Sequence, residues 1–171
     1  MVVLRVRHRL AQVLPPAAEV PRDSDTALGD WYVHQVTVGS ESLALLVSSR
    51  SLLAMLVPAA GLPELPQRLA ALVAVRLKRL DISARLIAPE RQAMRPVVVA
   101  KTADRSVVGI MVDYAKMIPR YLPTGGWDVT TLPFVEAQLQ DNPCHSYGRA
   151  ENIIFPRRAV PRLLADRWHA A

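Results

Sequence analysis

The fold is decided in residues 101–116, which read Lys101-Thr-Ala-Asp-Arg-Ser-Val-Val-Gly-Ile-Met-Val-Asp-Tyr-Ala-Lys116. A β-branched run ends just before this stretch, because residues 96–100 contain three consecutive valines, which favour a buried strand. Asp104 is a good candidate N-cap, since its carboxylate can accept hydrogen bonds from the unpaired amides of a first helical turn. The stretch therefore predicts a change from strand to helix close to residue 104.

The helix that follows is predicted to have two different faces. Its large apolar residues recur with helical spacing and form one core-facing stripe, made of Val107, Ile110, Met111, Tyr114 and Ile118. The charged residues and a glycine fall on another side of the helix, at Arg105, Gly109, Asp113, Lys116 and Arg120. One helix thus presents a packed face and a charged face.

An antiparallel meander is predicted upstream of that helix. Residues 31–38 alternate in the manner of a strand, residues 39–42 supply turn chemistry, and residues 43–47 form a compact apolar run. Residues 48–51 resemble a second connection, and residues 52–57 resemble a third strand. Three strands joined by short turns are therefore expected to run in alternating directions.

Helices are predicted to cover this sheet. Apolar residues recur with helical spacing over residues 62–80, where basic residues near the end complement the helix dipole. A short extended piece is expected over residues 82–87. Further helices are predicted over residues 131–140 and from residue 156 onward.

The chain as a whole is predicted to form one domain, because a chain of this length can bury roughly 70% of the surface that its unfolded form exposes. Residues 2–14 fit either a short strand or a helix, and residues 15–29 form a proline-rich connecting segment. We expect an α+β domain over residues 1–171, with an antiparallel sheet of about three to five strands packed against several helices.

The charge of the chain favours an acidic partner. Lysine and arginine number 21 against 15 aspartates and glutamates, which gives a net charge of +6. Such an excess suits nucleic acid, a phosphorylated ligand or an acidic protein, but the cations are spread along the chain, which favours a solvated basic surface over a specific basic face. The cations cluster at three places, in residues 5–9, 76–79 and 157–162.

Neither a metal nor a cofactor is expected. Cys144 is the single cysteine, which excludes an internal disulfide and a multi-cysteine zinc site and agrees with a reducing cytoplasm. The four histidines show no metal-ligand spacing. The longest uncharged apolar stretch, residues 51–63, is too short for a membrane helix. Arginines interrupt the apolar residues near residue 1, so a secretory signal is not expected there. A cytoplasmic protein without membrane contact is predicted.

Two motifs resemble a known family. Leu28-Gly-Asp-Trp-Tyr32, which leads into the hairpin, and Thr102-Ala-Asp-Arg-Ser-Val-Val-Gly-Ile-Met-Val-Asp-Tyr-Ala115 are similar to motifs in a family of small bacterial proteins classed as a domain of unknown function. The second family motif usually reads Asn-Arg-Ser-Val-Leu-Gly-Ser-Met-Asn-Asp. This chain matches it at Arg105, Ser106, Gly109, Met111 and Asp113, and departs from it at Asp104, Val108, Ile110 and Val112. The resemblance implies a shared fold from about residue 31 onward and carries no assigned activity.

The sharpest candidate binding group is Lys101, Asp104, Arg105, Ser106 and Asp113. Free amides, the positive end of the helix dipole and a guanidinium would converge near Ser106, which suits a phosphate or a carboxylate. In the alternative, structural interpretation, Asp104 only caps the helix, Arg105 pairs with a neighbouring acid, and Ser106 satisfies the polar groups of the first turn.

Asp113 also has two interpretations. Its carboxylate either pairs with Lys116 or Arg120 along the helix, or serves a site shared with Arg105 and Lys101. Asp113 and Arg105 lie two helical turns apart, about 12 Å along the axis, which weakens a catalytic pair.

Two functions follow from these features. The first is a binding or regulatory protein that engages nucleic acid or an acidic protein through the basic face of the Arg105 helix. The alternative is a small enzyme acting on a phosphorylated or nucleotide substrate, with Lys101 and Arg105 binding the anion and with Asp113 and Ser106 as the candidate catalytic residues.

Overall fold

A five-stranded sheet forms the centre of the protein. This computed structural model describes residues 1–17, 19, 23–124, 126–145 and 152–169. The strands lie in the spatial order β4-β3-β2-β1-β5. Their bounds are β1 (Val2–Val6), β2 (Trp31–Val38), β3 (Glu41–Ser48), β4 (Ala54–Pro58) and β5 (Val97–Lys101).

The sheet is mixed, so the prediction of a purely antiparallel sheet was wrong. Strands β2, β3 and β4 do form the predicted antiparallel meander. Strand β1, however, runs parallel to both of its neighbours, β2 and β5. Parallel strands cannot be joined by a tight hairpin, so the direction of β1 depends on long connections that a local sequence pattern does not reveal.

In the described part of the chain, five α-helices pack on the two faces of the sheet. One face carries α1 (Leu65–Arg79), α2 (Ala84–Ala93) and α5 (Pro156–Trp168), and the other carries α3 (Arg105–Tyr121) and α4 (Leu132–Asp141). The alternation of β2 divides its side chains between two cores, with Trp31 and Val33 in the first and Tyr32 and Val36 in the second.

Most of the predicted helices are confirmed, but the extended piece expected over residues 82–87 is wrong. That segment enters α2, which begins at Ala84. Leu86, Ile87 and Glu90 share the buried face of this helix. The adjacent apolar pair resembled a short strand, and the helical period was hidden because a buried glutamate continues it.

Two further regions have a structure that the sequence did not specify, namely residues 2–14 and the described part of residues 15–29. Residues 2–14 form strand β1 followed by a 3-10 turn at His8–Leu10. Within the described part of residues 15–29, Ala17 N–H donates to Val99 O at 2.9 Å and Asp25 N–H donates to Met1 O at 2.9 Å. Residues 18 and 20–22 of this segment lie outside the described residues.

Candidate functional site

The change from β5 into α3 occurs where the sequence predicts it. Asp104 precedes the helix in extended conformation, and its Oδ1 accepts from Ser106 N–H at 2.8 Å and from the Ser106 hydroxyl at 2.7 Å. Asp104 is thus confirmed as the N-cap. Its own N–H donates to the Tyr32 hydroxyl at 3.0 Å, which anchors the start of α3 to strand β2.

The other members of the predicted group are spread along the surface. Lys101 is exposed at the end of β5, and Arg105 is exposed at the first position of α3. Asp113 Oδ1 lies 3.8 Å from Lys116 Nζ, and about two thirds of each side chain is exposed, at 66% and 69%. Asp113 therefore makes the ion pair of the structural interpretation.

A cavity of about 440 Å³ lies beside Asp113, between α3 and the segment after α4. Tyr114, Cys144 and His145 also line it, whereas Lys101 and Arg105 are not among its described lining residues. The Tyr114 hydroxyl lies 3.0 Å from Cys144 Sγ, and burial raises the pKa of this thiol. A thiol with a raised pKa is a poor nucleophile. Tyr114 and Cys144 therefore form a structural contact.

A larger cavity lies at the carboxyl end of β1. Strand β1 ends at Val6, opposite Val33, while β2 continues to Val38. The outer half of β2 therefore extends beyond its parallel neighbour, and a cavity of about 640 Å³ occupies that position. We call this cavity the β2 notch. Its described lining residues are Arg7, His8, Arg9, Leu10, His34, Gln35 and Thr37.

The β2 notch is basic. Arg7, His8 and Arg9 are exposed at its rim, His34 is half-buried, and no described lining residue is acidic. Burial lowers the pKa of His34, and the nearby guanidinium groups of Arg7 and Arg9 lower it further. His34 therefore presents a neutral imidazole at neutral pH and gains its proton only at a cost in free energy.

Strand β5 ends level with β1. Lys101 pairs with Val6 in the parallel register, and Thr102 N–H donates to Val6 O at 3.3 Å. Carboxyl ends of parallel strands are a frequent place for ligands in α/β sheets. One residue of the predicted group, Lys101, thus ends its strand opposite the last residue of β1, but it is not among the described lining residues of the notch.

Arg5 belongs to the same arginine cluster but has a structural role. Its Nε lies 2.7 Å from Asp30 Oδ2, with both side chains largely buried, and one Nη donates to Lys101 O at 3.2 Å. The Ser24 hydroxyl donates to the other Asp30 oxygen at 2.6 Å. The cluster at residues 5–9 is therefore divided, with Arg5 neutralised and only Arg7 and Arg9 lining the notch.

The second basic cluster is also partly neutralised. Glu136 Oε1 accepts from Arg76 Nη2 at 2.9 Å and from Leu56 N–H at 2.8 Å. Arg76 Nη2 also donates to Leu56 O at 3.0 Å. This buried ion pair satisfies both backbone groups of Leu56 on the outer edge of β4, where a further strand could otherwise pair.

Glu90 is another buried acid, and no sequence pattern identified it. Its side chain is fully buried and accepts from Ala27 N–H at 2.8 Å, Leu28 N–H at 3.1 Å and Trp168 Nε1–H at 2.9 Å. Burial raises the pKa of Glu90, while these hydrogen bonds and the charge of Arg50 oppose the rise. Glu90 thereby links α2, α5 and the segment before β2.

The residues of the notch were missed for a topological reason. The basic character of Arg7 and Arg9 is visible in the sequence, but no sequence signal marks His34, Gln35 or Thr37. The arginines and the β2 residues meet only because β1 runs parallel to β2 and ends at Val6, before β2 ends. The alternation of arginines at residues 5, 7 and 9 was the available clue, since it places them on one side of an extended chain.

The fold and the notch define an α+β protein with a mixed sheet and a basic cavity at a strand end. The chain belongs to the family DUF6933, a domain of unknown function, whose model matches residues 3–159. This match confirms the predicted resemblance to a domain of unknown function. No curated protein and no solved structure matches the chain. No helix in the described ranges has both the length and the apolar character needed to cross a membrane.

Proposed function

We propose that the protein is a binding protein that engages an acidic partner through the β2 notch. The supporting observation is that Arg7, His8, Arg9 and His34 line one cavity of about 640 Å³ whose described lining contains no acid. The sequence analysis had assigned this contact to the Arg105 face of α3. The notch is the better candidate because it is concave and gathers its cations around one space.

The chemistry of the notch suits a carboxylate or a phosphate. A guanidinium keeps its charge at all physiological pH values and offers a planar fork of donors that matches either anion. Charges of one sign in a concave site reinforce one another and attract counter-ions. Lys101, which pairs with the last residue of β1, adds a further positive charge at this end of the sheet.

Binding is favoured over catalysis by the positions of the candidate catalytic residues. Ser106 donates its hydroxyl to the helix cap, and Asp113 lies in an exposed ion pair. An enzyme acting on a phosphorylated substrate remains the second candidate, because His34 combines a lowered pKa with two adjacent guanidinium groups. A neutral imidazole in such a place can act as a general base.

The proposal is tested with two matched pairs of substitutions. The double variant Arg7→Ala/Arg9→Ala removes two cations from the notch, and Arg105→Ala/Arg120→Ala removes two from the exposed face of α3. Binding of a fluorescein-labelled 20-nucleotide single strand and of a labelled glutamate-rich peptide is followed by anisotropy at several salt concentrations. The first variant is expected to weaken binding at least about tenfold, which corresponds to about 1.4 kcal/mol, and the second to change it little.

Four outcomes would contradict the proposal. A larger loss with the α3 variant would return the contact to the Arg105 face, and equal losses would indicate non-specific attraction. Failure of the wild-type protein to bind either probe would exclude an acidic partner. Release of phosphate from nucleotides or from p-nitrophenyl phosphate, abolished by His34→Gln, would establish the enzyme instead.

A further inference from the structure

We infer that the partner in the β2 notch is an extended acidic peptide segment, which adds to the open edge of β2 as a further strand in line with β1. This inference rests on the proposed function and specifies the class of its partner. It depends on the direction of the backbone groups of β2 and on the charge around them.

The direction of those groups follows from the strand register. Ser49 N–H donates to Asp30 O at 2.7 Å, and the pairing of β2 with β3 continues without a bulge from Trp31↔Ser48 to Val38↔Glu41. Along an antiparallel pair, successive residues direct their N–H and C=O groups alternately toward and away from the partner. Even-numbered residues of β2 therefore face β3, and odd-numbered residues face the side of β1.

The odd-numbered residues of β2 fall into two halves. Trp31 and Val33 face β1, which is paired with this part of β2. Gln35 and Thr37 come after the last paired residue, and both line the notch. Among the described residues, none hydrogen-bonds to their outward backbone groups. The notch thus exposes an unpaired stretch of strand edge, which is a template for another strand.

The two outer edges of the sheet, on β4 and β5, differ from the open part of β2 because backbone groups on both have hydrogen-bond partners. On β4, Arg76 and Glu136 occupy the backbone groups of Leu56. On β5, Val99 O accepts from Ala17 N–H at 2.9 Å. The outer half of β2 has instead a cavity with basic side chains beside its backbone. A strand edge left open beside a cavity is the arrangement used in peptide recognition by strand addition.

The size and charge of the notch favour an acidic peptide over a nucleic acid. The open part of β2 runs from His34 to Val38, about 13 Å at 3.3 Å per residue, which suits four or five residues of extended chain. Arg7 and Arg9 would meet acidic side chains of that chain. A nucleic acid could use the cations, but its sugar-phosphate backbone lacks the alternating N–H and C=O groups that complement a strand edge.

N-methylated peptides provide the decisive test. We would compare a labelled decapeptide of alternating glutamate and valine with two analogues of unchanged charge, in which the amides of either the odd or the even residues are N-methylated. Strand addition requires the amides of one parity to donate to β2, so the two analogues are expected to differ at least about tenfold in affinity. Equal affinity of all three peptides would overturn strand addition and leave charge-driven binding intact.

Other results separate this inference from the proposed function. Binding of the 20-nucleotide strand without binding of the peptide would show that the partner class is wrong while the basic notch still functions. Binding of neither would remove the proposed function itself. Each outcome is therefore assigned to one of the two claims.

A substitution on the protein tests the same contact. Thr37→Pro removes an N–H that faces the notch, and proline is tolerated at an edge position of this kind. Thr37→Ala is the matched control, because it retains the N–H. We expect weaker peptide binding only with the proline variant.

Amide hydrogen exchange covers the case in which Thr37→Pro lowers the melting temperature. In the wild-type protein, the amides of Gln35 and Thr37 are expected to exchange at least about tenfold more slowly with saturating peptide, because they become hydrogen-bonded. Unchanged exchange at both amides with peptide bound would overturn strand addition.

Discussion

At the scale of single residues, Asp104 determines where α3 begins. Its carboxylate accepts from the backbone and the hydroxyl of Ser106, and its N–H is held by Tyr32 on β2. The first contact stops the helix from extending backwards, and the second places its start against the sheet. Capping and positioning are thus combined in one residue.

Replacement of this cap should be measurable. Asp104→Ala leaves a first-turn amide without its acceptor, so we expect the free energy of unfolding to fall by about 1 kcal/mol. Asp113→Ala on the same helix is the control, because its exposed pair with Lys116 is worth no more than about 0.5 kcal/mol. Urea denaturation of both variants measures the difference, and equal losses would show that the cap does not stabilise α3.

His34 should make binding depend on pH. The charged and titratable groups described around it are Arg7, Arg9 and His8, and burial together with the two arginines lowers its pKa below 6.5. A bound anion offsets this effect, so affinity for an acidic probe is expected to rise as the pH falls from about 7.5 to 6. His34→Gln should reduce the slope, as measured by anisotropy, and an unchanged slope would exclude His34.

The same shift sets the sign of a stability effect. Because the folded protein binds the His34 proton less tightly than the unfolded chain does, this group favours folding above pH 6.5. Its contribution is lost as the pH falls through that value toward the lowered pKa. The ligand-free wild type should therefore lose more stability than His34→Gln on acidification through this range.

At the scale of secondary structure, the pair Arg76–Glu136 joins α1 and α4 across the edge of β4. The guanidinium and the carboxylate are both largely buried and share the backbone of Leu56. The carboxylate also lies 3.6 Å from Arg79. One contact therefore holds two helices from opposite faces of the sheet and closes the edge strand between them.

Loss of this acid should be costly. Glu136→Ala leaves a buried guanidinium without its counter-charge and a backbone amide without its acceptor, so we expect about 3 kcal/mol or more of destabilisation. Asp141→Ala, also on α4, removes an exposed partner of Arg157 and should cost at most about 1 kcal/mol. Chemical denaturation distinguishes the two, and a similar small loss for both would contradict the structural role of Glu136.

At the scale of the whole molecule, Glu90 connects distant parts of the chain. Its carboxylate accepts hydrogen bonds from the consecutive residues Ala27 and Leu28 and from Trp168, all of which are remote from Glu90 in sequence. It thereby docks the last helix and the segment before β2 onto α2. That segment leads directly into β2, which pairs with β1 from Leu4↔Trp31 onward.

Removal of Glu90 should loosen these contacts together. Glu90→Ala leaves three donors without their acceptor, and we expect a loss of at least about 2 kcal/mol in the free energy of unfolding. The amides of Ala27 and Leu28 and the Trp168 indole should lose protection from hydrogen exchange. Glu64→Ala serves as the control, since its exposed side chain makes no cap hydrogen bond. Retained protection at all three donors would refute the linking role.

Features that depend on short-range interactions could be predicted from the sequence, and those that depend on long-range interactions could not. The capped start of α3, its apolar stripe and the β2–β3–β4 meander were all predicted, because each depends on neighbours within one or two turns or across one hairpin. Helix α2 was missed because its buried face includes a glutamate whose partners are remote in sequence. The buried position of Glu136 was also missed, because Leu56, from which it accepts a hydrogen bond, is remote in sequence.

The sequence by itself determined the α+β class, most helices, the hairpin strands and the resemblance to a domain of unknown function. Only the tertiary structure decided that β1 lies parallel between β2 and β5, that Arg5 is neutralised by Asp30, and that Arg7 and Arg9 meet His34. The physical reason is that periodicity and capping act locally. A cavity at the end of a parallel strand depends instead on chain segments brought together by long connections.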